Sequence, residues 1–343
     1  MNKFYNGKRV LSFGTPFIFS LGNRSIGKTF YWTTRCIKKY LKSGEQFIYV
    51  RRYDNDLKRV APSFFKNVSF KFPDVSLGVE GSGRSGTEYY INDGLAGVTM
   101  ALSAANKYKS VAMPYVTTIL FDEFINEDND YLGNEVGNAF SLYQTIARGG
   151  GAVLRQDVKF VFLGNAVSLN NPYFIELGIR EKIDGTKNYY VDDDRGWVVE
   201  ISNNEQIAEE IANTPFGKMI AKTRYGDYAL KNQFYLDSEQ FICQMSGELN
   251  YVCTLDGDGG RQYGLYLNEV EDLLWVSPKV DPNCKVRFAI SEGAHNDGTI
   301  LVRDSGASRI YMTMKYAYDY AKLRFETPDC RFVILEYMKH RIR

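Results

Sequence analysis

Eight residues, Gly22-Asn23-Arg24-Ser25-Ile26-Gly27-Lys28-Thr29, satisfy the pattern G-x-x-x-x-G-K-[ST] in full. This constrains the fold strongly, because the pattern has physical meaning only between a buried strand and a helix. Both flanks are present. Phe17-Ile18-Phe19-Ser20-Leu21 reads as a buried strand, and Thr29 to Lys42 reads as a helix closed by Gly44. Gly22 and Gly27 allow a tight turn in which successive N–H groups and the helix N-terminus point at one anion. In that setting Lys28 reaches the β- and γ-phosphates of ATP, and the Thr29 hydroxyl ligates Mg²⁺. The whole segment, Gly22 through Thr29, is the candidate nucleotide-binding loop.

The next strands extend the same logic. Gln46-Phe47-Ile48-Tyr49-Val50-Arg51-Arg52 reads as a second buried strand, and strands joined by a helix-length crossover imply a parallel α/β sheet. Arg51 and Arg52 fall at a strand's C-terminal end, the edge where open α/β sheets bind ligands. The segment from Thr87 to Ser103 carries a hairpin signal at Asp93-Gly94. Val116 to Phe124 then delivers two carboxylates at the end of a hydrophobic strand. Asp122 is suited to hold Mg²⁺ through a coordinated water, and Glu123, on the opposite face, to polarise a water for in-line attack on the γ-phosphorus.

Two further positions have competing readings. Asn134 to Ala147 has the spacing of an amphipathic helix, closed by Arg148 ahead of Gly149-Gly150-Gly151. Arg148 complements the helix dipole, or else reaches a neighbouring subunit's phosphates as an arginine finger, with Arg155 as a second candidate. Lys159 to Asn165 is another buried strand. Asn165 is either a γ-phosphate sensor, on a strand inserted between the two nucleotide motifs, or a turn residue after glycine.

Composition narrows the remaining classes. The 343 residues are about two domains' worth of chain, and 44% are hydrophobic. The net charge of +1 announces no nucleic-acid partner, so any basic surface must be local. Five scattered cysteines without C-x-x-C pairs fit core thiols in a reducing compartment. The basic start resembles a secretory signal, but it runs into the first core strand, and no apolar run spans a membrane. The expectation is a soluble protein of the cytoplasm, neither secreted nor transmembrane.

Asn171-Pro172-Tyr173-Phe174 opens a short helical lid expected over about 171–196, and Gly196 to Ile201 is read as a last strand. The expected domains are an ATPase domain over 1–201, a linker over 202–232 and an α+β domain over 233–343. The last is read as β-like runs at 241–255, 265–275, 286–290 and 299–303 plus a helix at 308–325. Its Asp256, Asp258, Glu292 and Asp297 read either as a two-metal nuclease cluster or as turn chemistry, with turns favoured. The basic end, Met338 to Arg343, suits a phosphate backbone or a frayed terminus.

Taken together, Gly22 to Thr29, Gly44 to Tyr53, Phe121-Asp122-Glu123-Phe124-Ile125, Asn134-Glu135-Val136 and Asn165-Ala166-Val167 followed by Asn171 to Phe174 resemble the genome-packaging ATPase of small short-tailed bacteriophages. The resemblance covers about residues 1–180. It implies an additional-strand P-loop ATPase core with a parallel-dominated sheet. It also implies a smaller RNase H-like, nuclease-like C-terminal domain that has lost its cutting acids and binds nucleic acid. It implies a ring of five copies at the portal vertex of a prohead, attached through a packaging RNA and moving double-stranded DNA inward. Asp122 and Glu123 become the metal-binding and water-activating carboxylates, and the trans finger falls on Arg148. Weighed against this are a helicase or recombination ATPase on the same core, a terminase with a working nuclease, and a nucleotide-gated assembly protein without useful turnover.

Overall fold

The protein is described here by a computed structural model covering residues 4–82, 86–108, 112–126, 130–148, 153–165, 168–169, 171–184, 186–202, 204–223, 241–302 and 309–339. It divides into two compact units, Met1–Leu169 with Glu181–Leu236, and Asn170–Arg180 with Asp237–Arg343. The expected lid therefore splits: 171–180 belongs to the second unit, and 181–196 to the first. Of the expected linker, 204–223 forms helices Glu205–Ala212 and Pro215–Ile220 of the first unit. The rest of it, 224–232, and the glycine run 149–151 lie outside the described residues.

The first unit contains β1 (Phe17–Gly22), β2 (Gln46–Arg51), β3 (Leu77–Ser82), β4 (Gly86–Ile91), β5 (Gly94–Ala101), β6 (Val116–Asp122), β7 (Lys159–Asn165), β8 (Tyr189–Asp192) and β9 (Trp197–Ser202). Among the described residues these form one sheet in the order β3-β4-β5-β2-β6-β7-β1-β9-β8. Strands β5, β2, β6, β7, β1 and β9 run parallel, with antiparallel strands at both edges. The parallel strands are almost continuously apolar because helices cover both faces. Strand β7 stands between β1 and β6, so an additional strand separates the phosphate-loop strand from the acidic one.

Each face has its own packing. Helix α1 (Lys28–Ser43) turns Trp32, Cys36 and Ile37 onto Ile18 of β1 and the aromatic cluster of Phe47, Phe64, Phe65 and Tyr89. On the phenylalanine-rich face, Phe160 and Phe162 stack at 4.1 Å, and Tyr143 of helix α2 (Glu135–Ala147) lies 4.7 Å from Phe17. The hairpin at Asp93-Gly94 is present, with Asn92 and Asp93 both left-handed at φ 47° and 64°. That is the conformation a two-residue hairpin turn demands. Strands β3 and β8 are additions to the sequence reading, since each is a short edge strand with little apolar alternation.

The second unit contains β10 (Asn250–Asp256), β11 (Gln262–Asn268), β12 (Leu273–Ser277), β13 (Arg287–Ala289), β14 (Ile300–Leu301) and β15 (Leu323–Phe325). Their order is β14-β13-β10-β11-β12-β15. Three sequence expectations are corrected here. The run 265–275 is not one strand: the Asn268 side chain accepts the N–H groups of Val270 and Glu271 and turns the chain, so β11 and β12 pair antiparallel. The helix expected over 308–325 is described from Arg309 to Asp319. Ala321 then takes φ 56°, Lys322 N–H caps the Ala317 carbonyl at 2.7 Å, and the chain enters β15. The run from 241 likewise becomes regular strand only at Asn250. A final helix, Pro328–Lys339, precedes residues 340–343, which lie outside the described residues together with 303 and 308.

Candidate active site

The loop after β1 fits its surroundings closely. A Cβ on Gly22 would sit 2.5 Å from the Ser202 carbonyl, so glycine alone lets β9 approach there. Gly27 caps α1 in the left-handed region at φ 95°, where other residues are strained. Lys28 begins the helix and is buried, its ammonium donating to the carbonyls of Gly22 at 3.0 Å and Asn23 at 2.9 Å. Burial lowers its pKa to about 8, against the opposing pull of Asp122 and Glu200. Asn23 is also buried, and neither atom of its side-chain amide has a partner. Unmatched amide atoms in such a loop fit a polar ligand, since a buried polar group without one is costly.

The acidic strand meets this loop at its C-terminal end. The Thr29 hydroxyl lies 3.3 Å from Asp122 Oδ1, although 93 residues separate them in the chain. Tyr49 donates to Asp122 Oδ2 at 3.0 Å, and the Arg51 Nε–H donates to the Tyr49 hydroxyl at 3.1 Å. Arg51 also reaches Asp122 Oδ2 at 3.3 Å and forms an ion pair with Glu123. Glu123 itself is mostly exposed and adopts φ 58°. A left-handed glutamate costs roughly 1 kcal/mol, a strain of the kind that aims side chains at functional sites.

A cleft of about 420 Å³ brings Ser25, Ile26, Gly27, Lys28 and Thr29 together with Arg51, Asp122, Glu123 and Asn165. Asn165 pairs in register with Gly22, which sets it at the loop's base. Arg24 is exposed on the loop.

Arg52 does something different from Arg51. Buried, it clamps Glu135, the first residue of α2, through Nε at 2.9 Å and Nη2 at 2.7 Å, and donates to the Phe124 carbonyl at 2.7 Å. The start of α2 is thus tied to the turn that carries Glu123. Thirteen residues later Arg148 caps that helix and is exposed. Arg155 is fully engaged at the sheet's opposite edge, donating to the Val116 carbonyl at 2.8 Å and to Asp157 at 2.9 and 3.1 Å.

Sequence reading missed the Tyr49 contact and the Glu135 clamp. The first was signalled by alternation, since Tyr49 and Arg51 share a strand face. The second had no signal, because Glu135 also reads as an ordinary first-turn acid.

In the second unit, Asp256 is buried and its carboxylate is held by Arg287, with Nε at 3.0 Å, and by Gln262 at 2.8 Å. Among the described residues no three His, Cys, Asp or Glu side chains group as a metal site. No helix there is long and apolar enough to cross a membrane.

Comparison with known proteins agrees with this architecture. The DNA packaging protein of Bacillus phage phi29 is 33% identical over 343 residues, covering 99% of this chain and 98% of its own. That of Bacillus phage B103 is 33% identical over 332 residues, covering 96% and 98%. Among solved structures, the bacteriophage Phi-29 viral genome packaging motor assembly aligns with a TM-score of 0.70 at 30% identity, over 98% of this chain and 99% of that one. The N-terminal domain of the DNA packaging ATPase from bacteriophage phi29 aligns at 38% identity with a TM-score of 0.51, over 58% of this chain and 96% of that one. Residues 1–342 match the family described as podovirus DNA encapsidation protein (Gp16), and the chain belongs to that family.

Proposed function

We propose that the chain is an ATP-hydrolysing motor that moves double-stranded viral DNA into a preformed prohead, working as a ring of copies at the portal vertex. A five-membered ring joined to the vertex through a packaging RNA is part of this reading, as is its seat in the host cytoplasm. The observation that carries it is the Thr29–Asp122 contact at the mouth of the phosphate loop, with Glu123 one residue further on. That arrangement supports hydrolysis over mere nucleotide binding, since a switch has no use for a second carboxylate beside the first.

In this reading the loop amides and Lys28 bind the triphosphate. Phosphate oxygens take over the hydrogen bonds that Lys28 gives to Gly22 and Asn23. Thr29 and Asp122 would hold Mg²⁺, which would neutralise charge on the phosphates when bound. Glu123 accepts a proton from the attacking water, whose oxygen bonds to the γ-phosphorus as the bond to the β–γ bridging oxygen breaks. ADP departs with that electron pair, and Asn165 orients the γ-phosphate. Arg148 of a neighbouring copy stabilises the developing charge.

Binding and turnover measured separately test this. Lys28→Ala loses ATP binding, and Glu123→Gln keeps binding while turnover falls by about three orders of magnitude, the scale on which removing a water-positioning group acts. Unchanged binding and turnover in Lys28→Ala would refute the reading.

A further inference from the structure

The two oxygens of Asp122 have different surroundings. The Thr29 hydroxyl lies close to both, at 3.3 Å from Oδ1 and 3.5 Å from Oδ2. What separates them is strand β2, whose side chains reach only Oδ2: the Tyr49 hydroxyl donates to it at 3.0 Å and Arg51 Nη2 at 3.3 Å. Nothing intrinsic to an aspartate fixes that choice, because its terminal torsion is broad and two-fold. The donors on Oδ2 fix it, and they leave Oδ1 facing the mouth of the phosphate loop.

Of the two donors, Tyr49 is the one held in place. Its register partner is Leu120 of β6, two residues before Asp122, so Tyr49 and Asp122 share a face of the sheet. The residue is 3% exposed, and its ring lies 4.7 Å from that of Phe64 in the core. Its hydroxyl accepts the Arg51 Nε–H at 3.1 Å. A guanidinium can only donate and a carboxylate can only accept, so the phenolic proton has one direction left, toward Asp122. Arg51, by contrast, is divided between Asp122 and Glu123. A core-anchored hydroxyl aimed at one carboxylate oxygen is the means by which outer groups orient metal-binding carboxylates.

We infer that Tyr49 is a positioning residue: its hydroxyl holds the Asp122 carboxylate with one oxygen free for a divalent cation, and so sets how much that cation strengthens nucleotide binding. This rests on the proposed hydrolysis site, which assigns Asp122 to the cation. The effect of Tyr49 on the cation passes through Asp122 alone.

The test titrates a non-hydrolysable ATP analogue into the full chain calorimetrically, once with Mg²⁺ and once with EDTA, and reads the gain in affinity that Mg²⁺ brings. Tyr49→Phe removes one oxygen and leaves the ring in its packing. It keeps the wild-type affinity in EDTA and lowers the Mg²⁺ gain about tenfold, the scale on which losing an outer hydrogen bond to a metal ligand acts. Asp122→Asn loses the gain, and adding Tyr49→Phe to it changes nothing further. An unchanged gain in Tyr49→Phe, an equal fall of affinity in both media, or a further fall in the double variant overturns the inference. Asp122→Asn also keeps the two ideas apart: if it retains the full gain, the cation site itself is wrong, whereas loss of the gain in Asp122→Asn with none in Tyr49→Phe removes only the role of Tyr49.

Discussion

Replacing Arg52 with alanine is expected to damage the first unit more than any surface change could. The Arg52 side chain is 5% exposed and that of its partner Glu135 is 1% exposed. Three hydrogen bonds join the two, at 2.7, 2.9 and 3.0 Å, and a fourth binds the Phe124 carbonyl. Glu135 additionally accepts the Leu132 N–H at 2.9 Å. Truncating the arginine strands a carboxylate in the core, which costs about 3–5 kcal/mol. Urea unfolding in a Trp275→Phe background, which leaves Trp32 and Trp197 of the first unit as the emitting tryptophans, measures that loss. The double variant Arg52→Met with Glu135→Leu should recover most of it, because well-packed apolar residues replace buried ion pairs with little net change. Turnover should not recover, since the link from the Glu123 turn to α2 is gone. A loss below about 1 kcal/mol in Arg52→Ala would show that the pair is not desolvated as described.

The remaining predictions concern charge and position. An unfolded lysine keeps its proton to about pH 10.4, whereas folded Lys28 releases it near about 8, so between those values the unfolded chain binds more protons and stability rises with pH. Lys28→Met should abolish that rise in ligand-free protein, and calorimetric melts at pH 8 and above will show whether it does. ATP affinity should fall above pH 8 for the same reason, because binding must first restore the ammonium. Arg155→Ala should cost roughly 1–3 kcal/mol through the abandoned carbonyls of Val116 and Met113 but leave ATP turnover per folded molecule intact, so a specific loss of turnover would return the finger to Arg155. Rings mixing Arg148→Ala with Glu123→Gln should hydrolyse ATP although neither variant does alone, and silence in the mixture counts against a trans role. Finally, supercoiled plasmid incubated with the protein and Mn²⁺ should stay intact, because Arg287 occupies Asp256; nicking would revive the two-metal reading.

The parts most legible in sequence were those fixed by short-range chemistry. The phosphate loop, the strand ending in Asp122-Glu123 and the hairpin at Asp93-Gly94 each carry their reason within ten residues. The second unit was harder. The 265–275 segment is apolar enough for one strand, and only the side chain of Asn268 breaks it. The end of the helix begun at Arg309 turns on Ala321 adopting a left-handed conformation that alanine rarely takes. Long-range pairings were invisible: Arg52 and Glu135 are 83 residues apart, and Tyr5 and Glu200 are 195 apart. Strand order alone brings them together.

Where Arg148 stands decides which active site it can serve. Helix α2 starts at the Arg52 clamp, beside the turn carrying Glu123, and runs 13 residues before Arg148. At the helical rise that carries it about 20 Å from the clamp. A second path gives the same answer. The Arg155 N–H binds the Ala147 carbonyl, and the Arg155 side chain binds Val116, the first residue of β6. Asp122 is the last residue of that strand, again roughly 20 Å away at the strand rise. An arginine side chain does not cross that gap, so Arg148 cannot touch a triphosphate bound in its own chain. Under the proposed trans role any phosphate it meets belongs to another copy, and the helix that carries it begins at the clamp beside the turn of Glu123. In the proposed ring, one element would therefore join the state of one site to the arginine offered to the next, the coupling that hydrolysing subunits in a ring require.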